Sequence, residues 1–338
     1  MAHGVSWIVN ILGIETSCDE AGLALIRSDG ELMAQALISH IDACVPHGGV
    51  LPEVVAREHM RVLPNLMSFM MKKYDLQWSD IHAVAVTAGP GLISSLLVGC
   101  AYARGISRAL QCPLYGVNHL QAHVLVARMG HPVQYPFVAL LISGGHTILY
   151  RVEAPHVFHI LGQTYDDAVG EAFDKTARLL GMPYPGGAHI EKMAKNGCHT
   201  IDFPKPLINR DNLDFSFSGL KASVARYVEK TGDVSACRDD IAHSFQESVA
   251  AVLADKVCKA LRQYSDVRHV VMTGGVAANK RLRQSVQDAL PGDVELFCPP
   301  PSLCTDNGVM IAWAAHELQK YGVMPEGYDV IARPTMPL

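Results

Sequence analysis

The chain has 338 residues, 49% of them hydrophobic and 18% charged, with a formal net charge of −5 at pH 7. Such a length allows two packed domains or one large one, and the charged fraction is too low for a disordered chain. No apolar run is long enough to span a bilayer, the opening Met1–Trp7 lacks the basic or arginine-rich character of a targeting peptide, and the negative balance excludes coating of nucleic acid by charge alone. The expected location is therefore cytoplasmic, away from any membrane.

In chain order, an apolar run Ile8–Ile14 ends in Glu15-Thr16-Ser17-Cys18-Asp19-Glu20 and resumes as Ala21–Ile26; Ser28-Asp29-Gly30 then turns it into a third run ending near Ile41. Three short runs with polar turns predict an antiparallel meander. Helical spacing follows from Pro52 to Tyr74, with Pro64 marking a break or kink. Ile81–Thr87 reads as a strand, Ala88-Gly89-Pro90-Gly91 as its stop, Leu92–Leu110 as a largely buried helix and Pro113–Val117 as a further strand. The segment Asn118-His119-Leu120-Gln121-Ala122-His123 comes next.

The opening pattern then recurs: Phe137–Ile142 is a strand, Ser143-Gly144-Gly145-His146 a turn and Thr147–Val152 a second strand, as an internal duplication would give. Gly170–Leu180 reads as an amphipathic helix, Tyr184-Pro185-Gly186-Gly187 as a loop opening another, and Phe203–Phe217 as irregular. Asp239–Tyr264 is a long helix, His269–Met272 a strand ending in Thr273-Gly274-Gly275, and Ala277–Ala289 a helix. Val294–Phe297 is a strand, Cys298–Leu303 a proline-rich loop and Asn307–Tyr321 the last main helix. Alternating strands and helices predict an α/β fold of two pseudo-equivalent halves, 1–130 and 131–338, with the last helix able to pack back on the first. Nine scattered cysteines without a Cys-x-x-Cys pair suit reduced thiols better than disulfides or structural zinc.

Side chains four apart share one face of a helix, so His119 and His123 are candidate metal ligands. With 16 histidines in the chain, about one such pair is expected by chance, and the surroundings must decide. Three turns, 15–20, 143–146 and 273–279, each follow an apolar strand, where backbone N–H groups can receive phosphate and glycine permits its approach. Two strand-turn-strand units followed by a strand-Gly-Gly-helix are the way the actin, sugar kinase and Hsp70 (ASKHA) superfamily holds a nucleotide between its two lobes.

Eight stretches together resemble one family: 14–20, 88–92, 118–123, 141–147, Gly170-Glu171-Ala172-Phe173-Asp174-Lys175, Phe217-Ser218-Gly219-Leu220-Lys221, Gly274-Gly275-Val276-Ala277-Ala278-Asn279 and Cys304-Thr305-Asp306-Asn307-Gly308. It is the TsaD family of tRNA N6-adenosine threonylcarbamoyltransferases, once described as O-sialoglycoprotein endopeptidases. The resemblance implies a two-lobed ASKHA fold with duplicated half-domains. It also implies transfer of threonylcarbamoyl from threonylcarbamoyl-AMP to N6 of adenosine 37, in tRNAs reading codons that begin with A, with release of AMP. By position, the family's metal ligands fall on His119, His123 and Asp306, with Fe(II) the usual metal and Zn(II) the alternative. The adenylate-binding positions fall on Leu141, Ile142, Ser143, Gly144, Gly145, Asp174, Gly187 and Asn279. Partners implied are tRNA, an inactive paralogue (TsaB) and a small ATPase (TsaE).

The donor is a mixed anhydride and needs no nucleophilic serine or cysteine, but the N6 amine must lose a proton; Asp19, Glu20 and Asp174 are the candidate bases. Many relatives read His-x-Glu-Gly-His where this chain has Gln121-Ala122 between the histidines, which bears on metal affinity and not on the ligand set. The ten residues before Ile11 exceed the family's usual start, as a disordered tail or an alternative start would. Rival readings are an ASKHA small-molecule kinase, an Hsp70-like ATPase and a metalloendopeptidase. The last lacks the Glu that should follow its first histidine, a position held by Leu120.

Overall fold

The computed structural model describes residues 9–40 and 51–337. Of the ten residues before Ile11, 1–8 lie outside the described residues, as does the end of the third run near Ile41, while Asn10 belongs to the first strand. The chain divides into two compact units, Met1–Gly130 with Thr305–Leu338, and His131–Cys304. The expected halves, 1–130 and 131–338, place residues 305–338 with the second and allow the last helix to pack back on the first.

In the first unit, β1 (Asn10–Glu15), β2 (Glu20–Arg27) and β3 (Leu32–Ser39) form the expected meander. β4 (Ala83–Gly89) and β5 (Leu114–Asn118) then add in parallel, giving the order β3-β2-β1-β4-β5. Every residue of β1 is buried, because the sheet is covered on both faces, which is why the run is apolar without alternation. Leu12 and Ile14 pack with Val62, Leu66 and Met70 of α1 (Pro52–Lys73) and with Cys100 and Ala103 of α2 (Ile93–Leu110). The other face meets the C-terminal helix Gly308–Lys320 at van der Waals limits. A Cβ added to Gly13 would lie 2.5 Å from Ala312 N, and one on Gly308 2.5 Å from the Leu23 carbonyl carbon. Only paired glycines let helix and strands approach this closely.

The second unit repeats the plan. β6 (Phe137–Ile142), β7 (Thr147–Ala154) and β8 (Val157–Gln163) are antiparallel, while β9 (His269–Thr273) and β10 (Glu295–Phe297) add in parallel. The order β8-β7-β6-β9-β10 has the same sense at every step as that of the first sheet, so the duplication read from the turns extends to topology. Its core joins β6 and β9 to α4 (Val169–Leu179), α5 (Gly187–Ala194), α6 (Ser218–Thr231) and α7 (Arg238–Gln263), with Phe173 packed edge-on against Phe245.

Several expectations need correction. α1 is one continuous helix that contains Pro64 on its exposed side, without the break expected there. β8 and α6 were not foreseen, and the helix expected over 277–289 is a 3-10 turn, Gly275–Ala278, followed by α8 (Lys280–Ala289). The proline-rich loop contains a single helical turn, Pro301–Cys304. The last helix, expected over Asn307–Tyr321, spans Gly308–Lys320, with Asn307 as its cap accepting from Met310 N at 2.9 Å, so Asp306 lies just ahead of it.

Candidate metal centre

The short helix α3 (His119–Leu125) leaves β5 directly, and Asn118 caps it by accepting from Leu120 N at 3.0 Å and Gln121 N at 3.2 Å. That cap fixes His119 as the first helical residue, and His123 follows one turn later with its ring edge-on, centroids 4.6 Å apart. The close seating of the C-terminal helix on β1 and β2 brings Asp306 to the pair. Its Oδ1 lies 2.9 Å from His123 Nε2 and 3.5 Å from His119 Nε2. One ligand atom from each of the three residues falls within 4.8 Å of the others.

His119 Nδ1 is occupied: Ser17 Oγ lies at 3.1 Å and Glu15 Oε2 at 3.2 Å. Glu15, fully buried at the end of β1, also accepts from Ser17 N at 2.5 Å and from the Thr87 hydroxyl. Burial alone would raise the Glu15 carboxyl, but the adjacent His119 and the Ser17 side chain hold it below its usual value. Against the opposing effect of burial, Asp306 and Glu15 push His119 up to about 9. Burial, reinforced by Asp306 and Asp19, pushes Glu20 up to about 9 as well. Burial likewise raises the Cys18 thiol, which makes it a poor nucleophile.

These features suit a divalent cation. Two imidazole nitrogens and one carboxylate oxygen are borderline ligands that accept Fe(II) or Zn(II), and the nitrogen of His119 turned toward Asp306 is the one its hydrogen bonds leave available. Without a cation, the crowded carboxylates draw protons onto His119 and Glu20 instead.

Of the candidate bases, Asp19 ends the turn from β1 into β2 and Glu20 is the first residue of β2, with the Asp19 carbonyl accepting from His40 N at 2.9 Å. Asp174 belongs to α4 in the second unit, where its Oδ1 accepts from Gly186 N at 2.7 Å; burial raises its carboxyl although the Gly186 and Gly187 N–H groups oppose this.

Of the other marked positions of the second unit, Leu141 and Ile142 end β6, Ser143, Gly144 and Gly145 form the turn after it, Gly187 opens α5 and Asn279 follows the 3-10 turn after β9. Leu141 and Ile142 have fully buried side chains, so only their backbone can meet a ligand. Ser143 closes the turn by accepting from His146 N on its hydroxyl at 3.1 Å, and Gly144 and Gly145 are exposed with open space where a Cβ would stand. Gly187 likewise has open space at its Cβ position. Gly274, with φ of +91°, lies against the Ile142 backbone and admits no side chain. Asn279 is buried and engaged as the cap of α8, accepting from Arg281 N and Leu282 N while its amide donates to Gln246 Oε1 at 2.8 Å. The sequence places Glu15 and Ser17 in a turn and Thr87 at a strand end, without a role for their side chains. The available signal was a carboxylate closing a wholly apolar strand.

Two five-stranded sheets of one topology define an ASKHA-fold protein, and its first unit carries a His-His-Asp group that could hold a metal ion. Component A of the Acidaminococcus fermentans (R)-2-hydroxyglutaryl-CoA dehydratase shares this fold, with a TM-score of 0.56 and 18% identity over 93% of this chain and 99% of its own. The chain belongs to the TsaD family, tRNA N6-adenosine threonylcarbamoyltransferase, which matches residues 31–313. Relatives of that description from Rhizobium etli and Gluconobacter oxydans are 42% and 43% identical, covering 98% and 97% of this chain and 94% and 93% of their own. The protein is accordingly a transferase that modifies tRNA.

Proposed function

We propose that the protein transfers the threonylcarbamoyl group of threonylcarbamoyl-AMP to N6 of adenosine 37, in tRNAs reading codons that begin with A. The observation that carries this reading is the convergence of His119, His123 and Asp306 in a chain of this family. The new bond joins N6 to the carbamoyl carbon, the bond from that carbon to the phosphate oxygen breaks, AMP departs with the electron pair, and N6 loses a proton.

His119, His123 and Asp306 would hold the cation, Fe(II) in preference to Zn(II). A bound divalent cation supplies Lewis-acid polarisation to oxygens of the transferred group. Ser143, Gly144, Gly145, Gly187 and the backbone of Leu141 and Ile142 are the proposed adenylate contacts, with Asp174 and Asn279 supporting the loop and helix beside them. Asp19, Glu20 and Asp174 are the proposed candidates for the acceptor of the N6 proton, and Asp19 is the one tested below.

Recognition of tRNA would involve partners, an inactive TsaB-like paralogue and a TsaE-like ATPase, because a net charge of −5 provides no broad cationic face. The place of action would be the cytoplasm. The test is incubation of the purified protein with tRNA, threonylcarbamoyl-AMP and candidate partners, followed by mass spectrometry of the nucleosides. Asp19→Asn should lower turnover while leaving donor binding intact, and wild-type turnover by that variant would remove Asp19 from the role.

A further inference from the structure

Glu15 is completely buried, and its carboxylate is fixed from two sides before it reaches the metal group. Ser17 N donates to Oε1 at 2.5 Å, and the Thr87 hydroxyl, from the middle of β4, donates to Oε2. Burying a carboxylate is expensive, and an apolar side chain would close β1 at lower cost if packing were the only requirement. What the carboxylate gains is a defined position for Oε2, 3.2 Å from His119 Nδ1.

An imidazole whose Nδ1–H is given to a carboxylate must carry its lone pair on Nε2, which here is the nitrogen facing Asp306 Oδ1 at 3.5 Å. We propose that Glu15 is a positioning residue that sets the tautomer and ring orientation of His119, so that this histidine ligates metal through Nε2. Thr87 and Ser17 hold Glu15, Glu15 holds His119, and the donor strength of Nε2 rises because its partner nitrogen is hydrogen-bonded to an anion.

A glutamine at position 15 has the same shape but the wrong hydrogen-bonding capacity. Its single oxygen cannot serve both sides, so its NH2 group must face either the Ser17 N–H or His119 Nδ1. The first arrangement opposes two donors; the second pushes the imidazole proton onto Nε2, where it blocks the metal. Ser17 Oγ, at 3.1 Å from Nδ1, offers His119 a weaker acceptor, so affinity should fall without vanishing.

The inference rests on the reading that His119, His123 and Asp306 hold a cation, and the test separates the two. Metal-free full-length protein is titrated with Zn(II) against a chromophoric chelator, as wild type, Glu15→Gln, Ser17→Ala and His123→Ala. Glu15→Gln should weaken Zn(II) binding by about ten- to a hundredfold while the metal-free protein unfolds as the wild type does, and Ser17→Ala should weaken it less. Folded Glu15→Gln with wild-type affinity, or a larger loss in Ser17→Ala, would overturn the role of Glu15 alone. Equal binding by wild type and His123→Ala would overturn the metal reading itself. Should Glu15→Gln fail to fold, the wild type decides: with 113Cd bound and histidine rings labelled with 15N, cadmium coupling is expected on His119 Nε2 and a bonded proton on Nδ1. Coupling to Nδ1 would overturn the assignment.

Discussion

His123 Nε2 and Asp306 Oδ1 stand 2.9 Å apart although 183 residues separate them in the chain. The contact exists because the histidine lies on the helix leaving β5, while the aspartate lies just ahead of a helix pressed onto β1 and β2. Sequence separation is thus absorbed by one helix-on-sheet packing, and disturbing either partner should be felt at the same place.

Removing His123 takes away one of three proposed protein ligands. Metal retained after dialysis should fall sharply in His123→Ala, and transfer activity should drop by about a hundredfold or more, with circular dichroism unchanged. Stoichiometric metal with normal transfer would move the centre elsewhere.

Gly308 tests the packing that delivers Asp306. A Cβ there would stand 2.5 Å from the Leu23 carbonyl carbon and 2.6 Å from Ala24 N, both backbone atoms that cannot step aside. Gly308→Ala should lower stability by roughly 1–3 kcal/mol or more through overpacking, and Zn(II) affinity should fall with it. A wild-type denaturation midpoint would contradict the described approach of helix and strand.

Asn279 carries a structural duty that its position in the Gly-Gly-helix motif does not reveal. As the cap of α8 and the partner of Gln246, its replacement by Ala should cost about 0.5–2 kcal/mol of stability, before any effect on nucleotide binding. Equilibrium denaturation in the absence of ligand isolates that contribution, and an unchanged midpoint would refute it.

Asp166 supplies a pH dependence in the second unit. Partial burial would raise its carboxyl, but hydrogen bonds from the Ser216 and Ser218 hydroxyls and from Phe217 N and Ser218 N hold it below the ordinary value. A depressed folded value means stability that is present above the unfolded value, about 3.9, and lost as pH falls through the lower folded one. The stability advantage of wild type over Asp166→Asn should thus be full near neutrality and shrink below about pH 4. A difference independent of pH would show that the carboxylate charge contributes nothing there.

The fold was legible wherever an element is buried on a regular face. β1, β6 and α7 declare themselves by apolar runs or long periodicity, and the turn repeat at 15–20 and 143–146 announced the duplication. β8 was missed because most of its residues are exposed or half-buried on a sheet edge, which leaves Val157–Gln163 without a pattern. α6 was missed because only Leu220 and Val224 are buried along 14 residues. At the site, the histidine spacing and Asp306 were visible as ligand types in recognised motifs. Glu15 was not, since its role depends on Ser17 and Thr87 closing around it, a consequence of β1 lying beside β4 that no local spacing encodes.

The central claim is most directly tested by supplying the protein, loaded with Fe(II) and accompanied by its partners, with threonylcarbamoyl-AMP and an anticodon stem-loop, then analysing nucleosides and AMP by mass spectrometry. The account predicts threonylcarbamoylation on N6 of adenosine 37 with one AMP released per modification, and near-complete loss of both in His123→Ala. No modified adenosine from wild type under these conditions, or undiminished product from His123→Ala, would contradict it.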